Sequence, residues 1–85
     1  MPDPLIIEVL YFQALRDATG REREVVEVAA GTTADSLIGQ LIEAHPKLDR
    51  WRASILIAIN EEWAEADALL QSGDCLALMP PVSGG

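Results

Sequence analysis

The fold of this chain is constrained most by one strongly amphipathic helix in a sequence that otherwise favours strands. Five apolar residues and one histidine fall on one face at helical spacing: Ala34, Leu37, Ile38, Leu41, Ile42 and His45. Thr33 has the side chain of a good N-cap, Asp35 suits the positive end of the helix dipole, and Pro46 ends the helix. A single helix of this kind must bury its apolar stripe against another layer, so the sequence predicts a sheet with one covered face.

The flanking segments are rich in β-branched, apolar and aromatic residues. The sequence predicts strands over residues 5–12, 22–28, 54–59, 63–64 and 75–79. The first run is nearly continuous in apolar residues, so we expect a central strand that is buried on both faces. A short helix before Gly20, a tight turn at Asn60 and a turn of helix over 67–70 complete the prediction.

The order of these elements predicts an α+β chain of the β-grasp, or ubiquitin-like, type. The first and last strands are the most apolar, and we expect them to lie side by side and parallel at the centre of a mixed sheet. The main helix covers one face of that sheet. The predicted domain spans residues 1–79, followed by a flexible, extended tail over 80–85.

The composition excludes several classes of function. Fourteen acidic residues against six basic ones give a net charge of −8, which opposes binding to nucleic acid. The single cysteine, Cys75, excludes an internal disulfide framework and an all-cysteine metal site. No secretory signal or membrane-length apolar run is visible, so we expect a cytoplasmic chain with no membrane partner. No glycine-rich phosphate loop and no metal-ligand spacing is visible either, so we expect no bound cofactor or metal.

No pattern of side chains predicts an active site within the chain. His45 ends the helix, where an imidazole commonly caps carbonyl groups. Cys75 has no neighbouring cation in the sequence to lower its pKa, so we interpret it as a small, partly buried residue.

The tail is the remaining chemical feature. It consists of Pro80, Pro81, Val82, Ser83, Gly84 and Gly85. Two prolines keep the chain extended, and the glycines allow entry into a narrow cleft. An extended segment of this length reaches roughly 20 Å, enough to place the Gly85 carboxylate in another protein's active site. The alternative from these residues alone is an ordinary frayed terminus.

Large apolar residues are predicted at the strand ends near the start of the tail. They are Phe12, Trp63 and Met79. If they share the sheet face away from the helix, they form an exposed patch of the kind that marks interfaces. The alternative is that they complete a small core.

These motifs together resemble the small, sulfur-carrying subunits of molybdopterin synthases. The resemblance rests on YFQALRDATG at 11–20, GTT at 31–33, AINE at 58–61, SGD at 72–74 and MPPVSGG at 79–85. The proline-containing tail is the most specific of them. Met79 and the bulky Trp63 depart slightly from the family's usual residues.

The resemblance implies a carrier that donates sulfur and is not itself the catalytic subunit. An E1-like adenylyltransferase consumes ATP to adenylate Gly85, and a sulfur donor enzyme converts it to a thiocarboxylate. The tail, with Gly84 behind the reacting residue, then enters the large catalytic subunit and gives sulfur to cyclic pyranopterin monophosphate. Residues 80–83, Phe12, Trp63 and Met79 correspond to the surface that binds the large subunit, within a heterotetramer of two small and two large subunits.

Other interpretations of the same chain remain open at this point. A related carrier would serve thiamine synthesis, tRNA thiolation or cysteine synthesis. A protein modifier would join the tail to lysines through isopeptide bonds, and a plain binding module would have an inert tail.

Overall fold

The computed structural model describes residues 3–81, which form a five-stranded sheet covered on one face by helices. The strands are β1 (Leu5–Tyr11), β2 (Arg23–Val28), β3 (Leu56–Ile59), β4 (Glu62–Trp63) and β5 (Cys75–Met79). The helices are α1 (Ala14–Thr19), α2 (Ala34–Ala44) and a 3₁₀ helix (Pro46–Trp51).

The strand order across the sheet is β2-β1-β5-β3-β4. Strands β1 and β5 lie parallel at its centre, and the other pairs are antiparallel. This arrangement confirms the predicted β-grasp fold with its mixed sheet. Because β5 is the middle strand, the chain leaves the domain from the centre of the sheet.

Helix α2 begins and ends as its sequence predicts. The Thr33 side chain accepts a hydrogen bond from the Ser36 backbone N–H at 3.1 Å, which satisfies one of the free donors of the first turn. Its buried residues are Ala34, Leu37, Ile38 and Leu41. After Ala44 the chain turns into the 3₁₀ helix with Pro46 in its first turn, where the missing proline N–H costs no hydrogen bond.

The core lies between α2 and the sheet, and only one face of β1 belongs to it. Ile7, Val9 and Tyr11 are buried, whereas the alternating residues Ile6 and Glu8 are exposed or half-buried. The prediction that β1 is buried on both faces is therefore wrong. A single layer of helices covers one side of the sheet, so a continuous apolar run here contributes one face to the core and one to the surface.

The segment before β5 also differs from its prediction. No helical turn forms over 67–70; instead Leu69 pairs with Thr33 in an isolated antiparallel bridge. The Leu70 N–H donates to the Thr32 carbonyl at 3.1 Å, so this loop fastens the start of α2. The turn after β3 is as predicted, with Asn60 and Glu61 both at positive φ.

None of the helices in the described part of the chain is long and apolar enough to cross a membrane. The predicted flexible tail spans residues 80–85, and its last four residues, Val82, Ser83, Gly84 and Gly85, lie outside the described residues. The proposed division at residue 79 stays a prediction.

Candidate functional site

The face of the sheet opposite the helices carries a cluster of large apolar side chains. Strand register creates it: Leu56 lies opposite Met79, and Ala58 lies opposite Trp63. Leu76 and Leu78 alternate with Met79 along β5 and are buried in the core, so Met79 points to the other face. The predicted patch residues thus meet on the open face.

We call this cluster the apolar patch. It encloses a shallow pocket with a volume of about 330 Å³. The pocket is lined by Phe12, Gln13, Leu56, Trp63, Met79, Pro80 and Pro81. Among its large apolar side chains, Trp63 is 73% exposed and Phe12 is 42% exposed. Aromatic side chains this exposed leave a large apolar area in water, which is typical of a binding surface.

The structure brings together five of the predicted site residues. They are Phe12, Trp63, Met79, Pro80 and Pro81. The other four, Val82, Ser83, Gly84 and Gly85, lie outside the described residues. Pro80 and Pro81 directly follow β5, so the chain passes beside the apolar patch as it leaves the sheet.

Sequence reasoning missed two residues of the apolar patch. Leu56 belongs to it because the register of β3 with β5 sets it beside Met79, and a single sequence does not reveal register. Gln13 has a positive φ of 53°, which turns the chain sharply between β1 and α1 beside Phe12. A polar residue between a strand and a helix was the one available signal for that turn.

Side-chain hydrogen bonds of Asn60 and Asp74 fix the start of β5. The Asn60 amide donates to Asp74 Oδ1 at 2.9 Å and accepts the Cys75 backbone N–H at 3.0 Å. The second Asp74 oxygen accepts the Gln71 N–H at 2.8 Å. These bonds tie the β3–β4 turn to the start of β5, at the opposite end of that strand from Pro80.

Cys75 itself is a poor candidate nucleophile. Burial raises the pKa of its thiol, and the nearby Glu8 carboxylate raises it further. Because the thiolate is the reactive form of cysteine, a raised pKa makes Cys75 less reactive at neutral pH.

The covered side of the sheet holds a polar cluster of a different kind. Tyr11 donates a hydrogen bond to Glu24 Oε2, and His45 Nε2 lies 2.9 Å from the same oxygen. Burial opposes ionisation of Glu24, but the hydrogen bonds from Tyr11 and His45 outweigh it and lower the pKa of Glu24. Burial and the Glu24 carboxylate raise the pKa of Tyr11. The three side chains satisfy one another and join β1, β2 and the end of α2.

The geometry of the open face is suited to binding a partner. Among residues 3–81, no three His, Cys, Asp or Glu side chains lie close enough together to hold a metal ion. Arg16 pairs with Glu22 at 3.3 Å and does not line the apolar patch. The patch offers apolar area, shape and the point of departure of the tail.

This chain is similar in sequence to one family of known proteins. A model described as the ThiS family matches residues 9–85. A protein of Mycobacterium tuberculosis named molybdopterin synthase sulfur carrier subunit is 38% identical over 80 residues, covering 93% of this chain and 96% of its own. A protein of the same name from Chlamydomonas reinhardtii is 36% identical, covering 93% and 98%.

A solved structure is also similar over most of its length. It is the crystal structure of small archaeal modifier protein 1 from Haloferax volcanii, with 29% identity and a TM-score of 0.83. The match covers 92% of this chain and 99% of the archaeal protein.

Proposed function

The chain belongs to the ThiS family, and on that premise we propose that it is the sulfur carrier subunit of a molybdopterin synthase. Relatives that bear this name are 36–38% identical to it over nearly their whole length. The observation that carries the proposal is the apolar patch, which lies where the chain leaves the central strand toward its two terminal glycines. A carrier needs both parts: a surface that docks and a tail that reacts.

The reacting group in this proposal is the Gly85 carboxylate. As an anion it resists attack by a nucleophile, so an E1-like adenylyltransferase first joins it to AMP and releases pyrophosphate from ATP. Sulfur from the donor then attacks the acyl carbon, and AMP leaves. Free sulfide gives the Gly85 thiocarboxylate directly, whereas a donor persulfide gives an acyl disulfide that a thiol must reduce to release the donor and leave the thiocarboxylate. The two glycines carry no side chains that would obstruct either enzyme.

The second stage takes place on the large catalytic subunit. We propose that the apolar patch docks there, with Phe12 and Trp63 as its aromatic anchors, within an assembly of two small and two large subunits. The tail then presents the thiocarboxylate to cyclic pyranopterin monophosphate, and the dithiolene receives its sulfur in two such transfers. We place this reaction in the cytoplasm, because a thiocarboxylate, like a thiol, persists best under reducing conditions.

The test is intact-mass measurement of the chain after incubation with its activating enzyme, ATP and a sulfur source. We expect a mass gain equal to the exchange of one oxygen for one sulfur. The Gly85-deleted chain should fold normally and gain nothing. The Cys75→Ser chain is the matched control: it should still gain the sulfur, because the thiol is not the acceptor. A gain that survives deletion of Gly85 contradicts the proposal.

A second candidate function is protein modification, favoured by the likeness to the archaeal modifier protein. In that case the activated Gly85 would form isopeptide bonds with lysines of other proteins. Covalent adducts on many cellular proteins, lost on deletion of Gly85 and present without any thiocarboxylate, would support this function over sulfur transfer.

A further inference from the structure

The two edges of the sheet differ greatly in length. Strand β4 at one edge has two residues, whereas β2 at the other has six. A long edge strand presents a row of backbone N–H and C=O groups that can pair with another strand. Among residues 3–81, no strand covers the outer side of β2.

The hydrogen bonds of β1 show which residues of β2 point outward. The Tyr11 N–H donates to the Glu22 carbonyl at 2.8 Å, so the backbone groups of Glu22 point toward β1. Antiparallel pairs alternate, and the register therefore directs the backbone groups of Glu24 and Val26 toward β1. The backbone groups of Arg23, Val25 and Glu27 point away from the sheet.

These three outward residues are complementary to themselves under a two-fold rotation. When a second copy of β2 runs antiparallel with Val25 opposite Val25, each Arg23 lies opposite Glu27 of the other copy. All three outward residues then form hydrogen-bonded pairs. A shift of this register in one direction sets Glu24 of one copy opposite Glu24 of the other. A shift in the opposite direction sets the charged Glu27 of one copy opposite the apolar Val25 of the other.

We propose that two copies of this chain associate through β2 in this register and form one continuous ten-stranded sheet. The occupant of the edge is thus a second copy of the same chain, selected by charge complementarity and by the central apolar pair. Such a contact is isologous, so it closes after two copies and does not extend into a fibre.

The side chains on this edge are available for the contact. Val25 is 56% exposed and would be covered by its counterpart. Glu27 has no ion pair within the described part of the chain. The Arg23 Nε donates to Glu8 at 2.8 Å, and the guanidinium has further N–H donors for Glu27 of the second copy.

The apolar patch consists of residues from β3, β4, the end of β5 and the segment that follows β1, and none of its residues belongs to β2. Association through β2 therefore leaves it uncovered. A pair of chains would therefore present two patches and two tails at once. An interface of two strands is small, and we expect a rapid monomer–dimer equilibrium instead of a permanent dimer.

The first test is sedimentation equilibrium over a concentration series that reaches the millimolar range, at physiological ionic strength. We expect the average mass of the natural chain to rise toward twice the monomer. Glu27→Arg sets Arg opposite Arg twice in the interface and should weaken association about 10- to 30-fold. Combining it with Arg23→Glu restores opposite charges and should recover association.

The control is Glu43→Arg, an exposed residue of α2 with the same change of charge. It reduces the repulsion between two acidic chains as much as Glu27→Arg does, and it should associate at least as well as the natural chain. A natural chain that stays monomeric throughout overturns the proposal. So does a Glu43→Arg chain that loses association as Glu27→Arg does.

The second test fixes the register. In a Cys75→Ser background, Val25→Cys should form a disulfide dimer rapidly, because the two Cα atoms would lie about 5.5 Å apart. Glu27→Cys in the same background should react slowly, since its counterpart is displaced by on the order of 14 Å along the strand. Equal rates for the two variants contradict the proposed register. This test involves neither sulfur transfer nor the tail, so its outcome is independent of the proposed function.

Discussion

The two faces of the sheet are both apolar, yet they differ in what covers them. On the helix side, Leu76 and Leu78 are fully buried beneath α2. On the open side, Leu56 is 36% exposed and Trp63 is mostly in water. The comparison shows that apolar character alone does not identify core: the covered face stabilises the fold, and the open face remains available for a partner.

Polar groups on the two faces differ in the same way. The Tyr11–Glu24–His45 cluster is largely buried on the helix side, and each member has a partner there. On the open face, the Arg23–Glu8 pair is substantially exposed to solvent. Exposed pairs contribute little to stability, whereas a buried carboxylate without partners is costly. We therefore expect stability to depend on the helix side and binding to depend on the open side.

The largest difference should come from truncating one leucine on each face. Leu76→Ala should lower the free energy of unfolding by about 2–5 kcal/mol, because it leaves a cavity in the core. Leu56→Ala, its matched counterpart on the open face, should cost about 1 kcal/mol or less. Urea unfolding of both variants measures the difference. Equal losses would show that the open face also acts as core.

The next effect concerns binding to the large subunit. Trp63→Ala should weaken binding by about 2 kcal/mol, or roughly 30-fold, because exposed aromatic residues are typical interface anchors. Its unfolding free energy should change little. Val25→Ala, an exposed apolar residue at the opposite edge of the sheet, is the control and should bind normally. Calorimetric titration measures both variants; full affinity in Trp63→Ala would remove the apolar patch from the interface.

A smaller effect should appear in the polar cluster on the helix side. The pKa of Glu24 lies below its ordinary value of 4.5, so its ionised form stabilises the folded state. That stabilisation is fully present above the unfolded pKa and is lost as the pH falls through the folded pKa. Glu24→Gln should cost about 1–2 kcal/mol at neutral pH, since it weakens hydrogen bonds to a charged acceptor.

The pH dependence provides the check on this prediction. Unfolding measured between neutral pH and strongly acidic pH should show a flatter loss of stability for Glu24→Gln than for the natural chain. Glu22→Gln, whose side chain is 80% exposed, should leave the acid profile nearly unchanged. If both variants lose stability at acidic pH as the natural chain does, protonation of Glu24 does not cause that loss.

The smallest effect concerns the start of α2, the helix that covers the core. Thr33→Ala removes the acceptor for the Ser36 N–H and should cost about 1 kcal/mol. Thr33→Ser keeps the hydroxyl and should lose much less. Thermal unfolding of the two variants distinguishes the cap from other roles of the side chain; equal losses would count against the cap.

The parts of the fold that were predicted correctly have strong local patterns. Helix α2 has a regular apolar stripe, a capping threonine and a terminating proline, and these signals agree with one another. The parallel pairing of β1 with β5 followed from the single helix and the two most apolar strands. The resemblance to sulfur carrier subunits, drawn from motifs along the whole chain, is confirmed by the family match and the curated relatives.

The parts that were missed depend on contacts between distant residues. Leu69 and Leu70 have the composition of a helical turn. Instead, two backbone hydrogen bonds, from Ala34 N–H to the Ala68 carbonyl and from Leu70 N–H to the Thr32 carbonyl, hold the segment in a β-bridge beside Thr33. Leu56 joins the apolar patch through strand register. Glu24 binds Tyr11, which is 13 positions away in the sequence, and His45, which is 21 positions away. Local sequence patterns contain no information about such pairings. The roles assigned to the apolar patch and to the tail remain predictions.

The central claim is that Gly85 carries sulfur to the pterin. It is tested most directly by loading the chain with isotopically labelled sulfur, removing the activating enzyme, and adding the large subunit with cyclic pyranopterin monophosphate. If Gly85 donates the sulfur, the label leaves the chain, the mass of the chain returns to that of the carboxylate form, and the label appears in the dithiolene product. A label that stays on the chain, or that leaves while the chain becomes joined to lysines of other proteins, would contradict that claim.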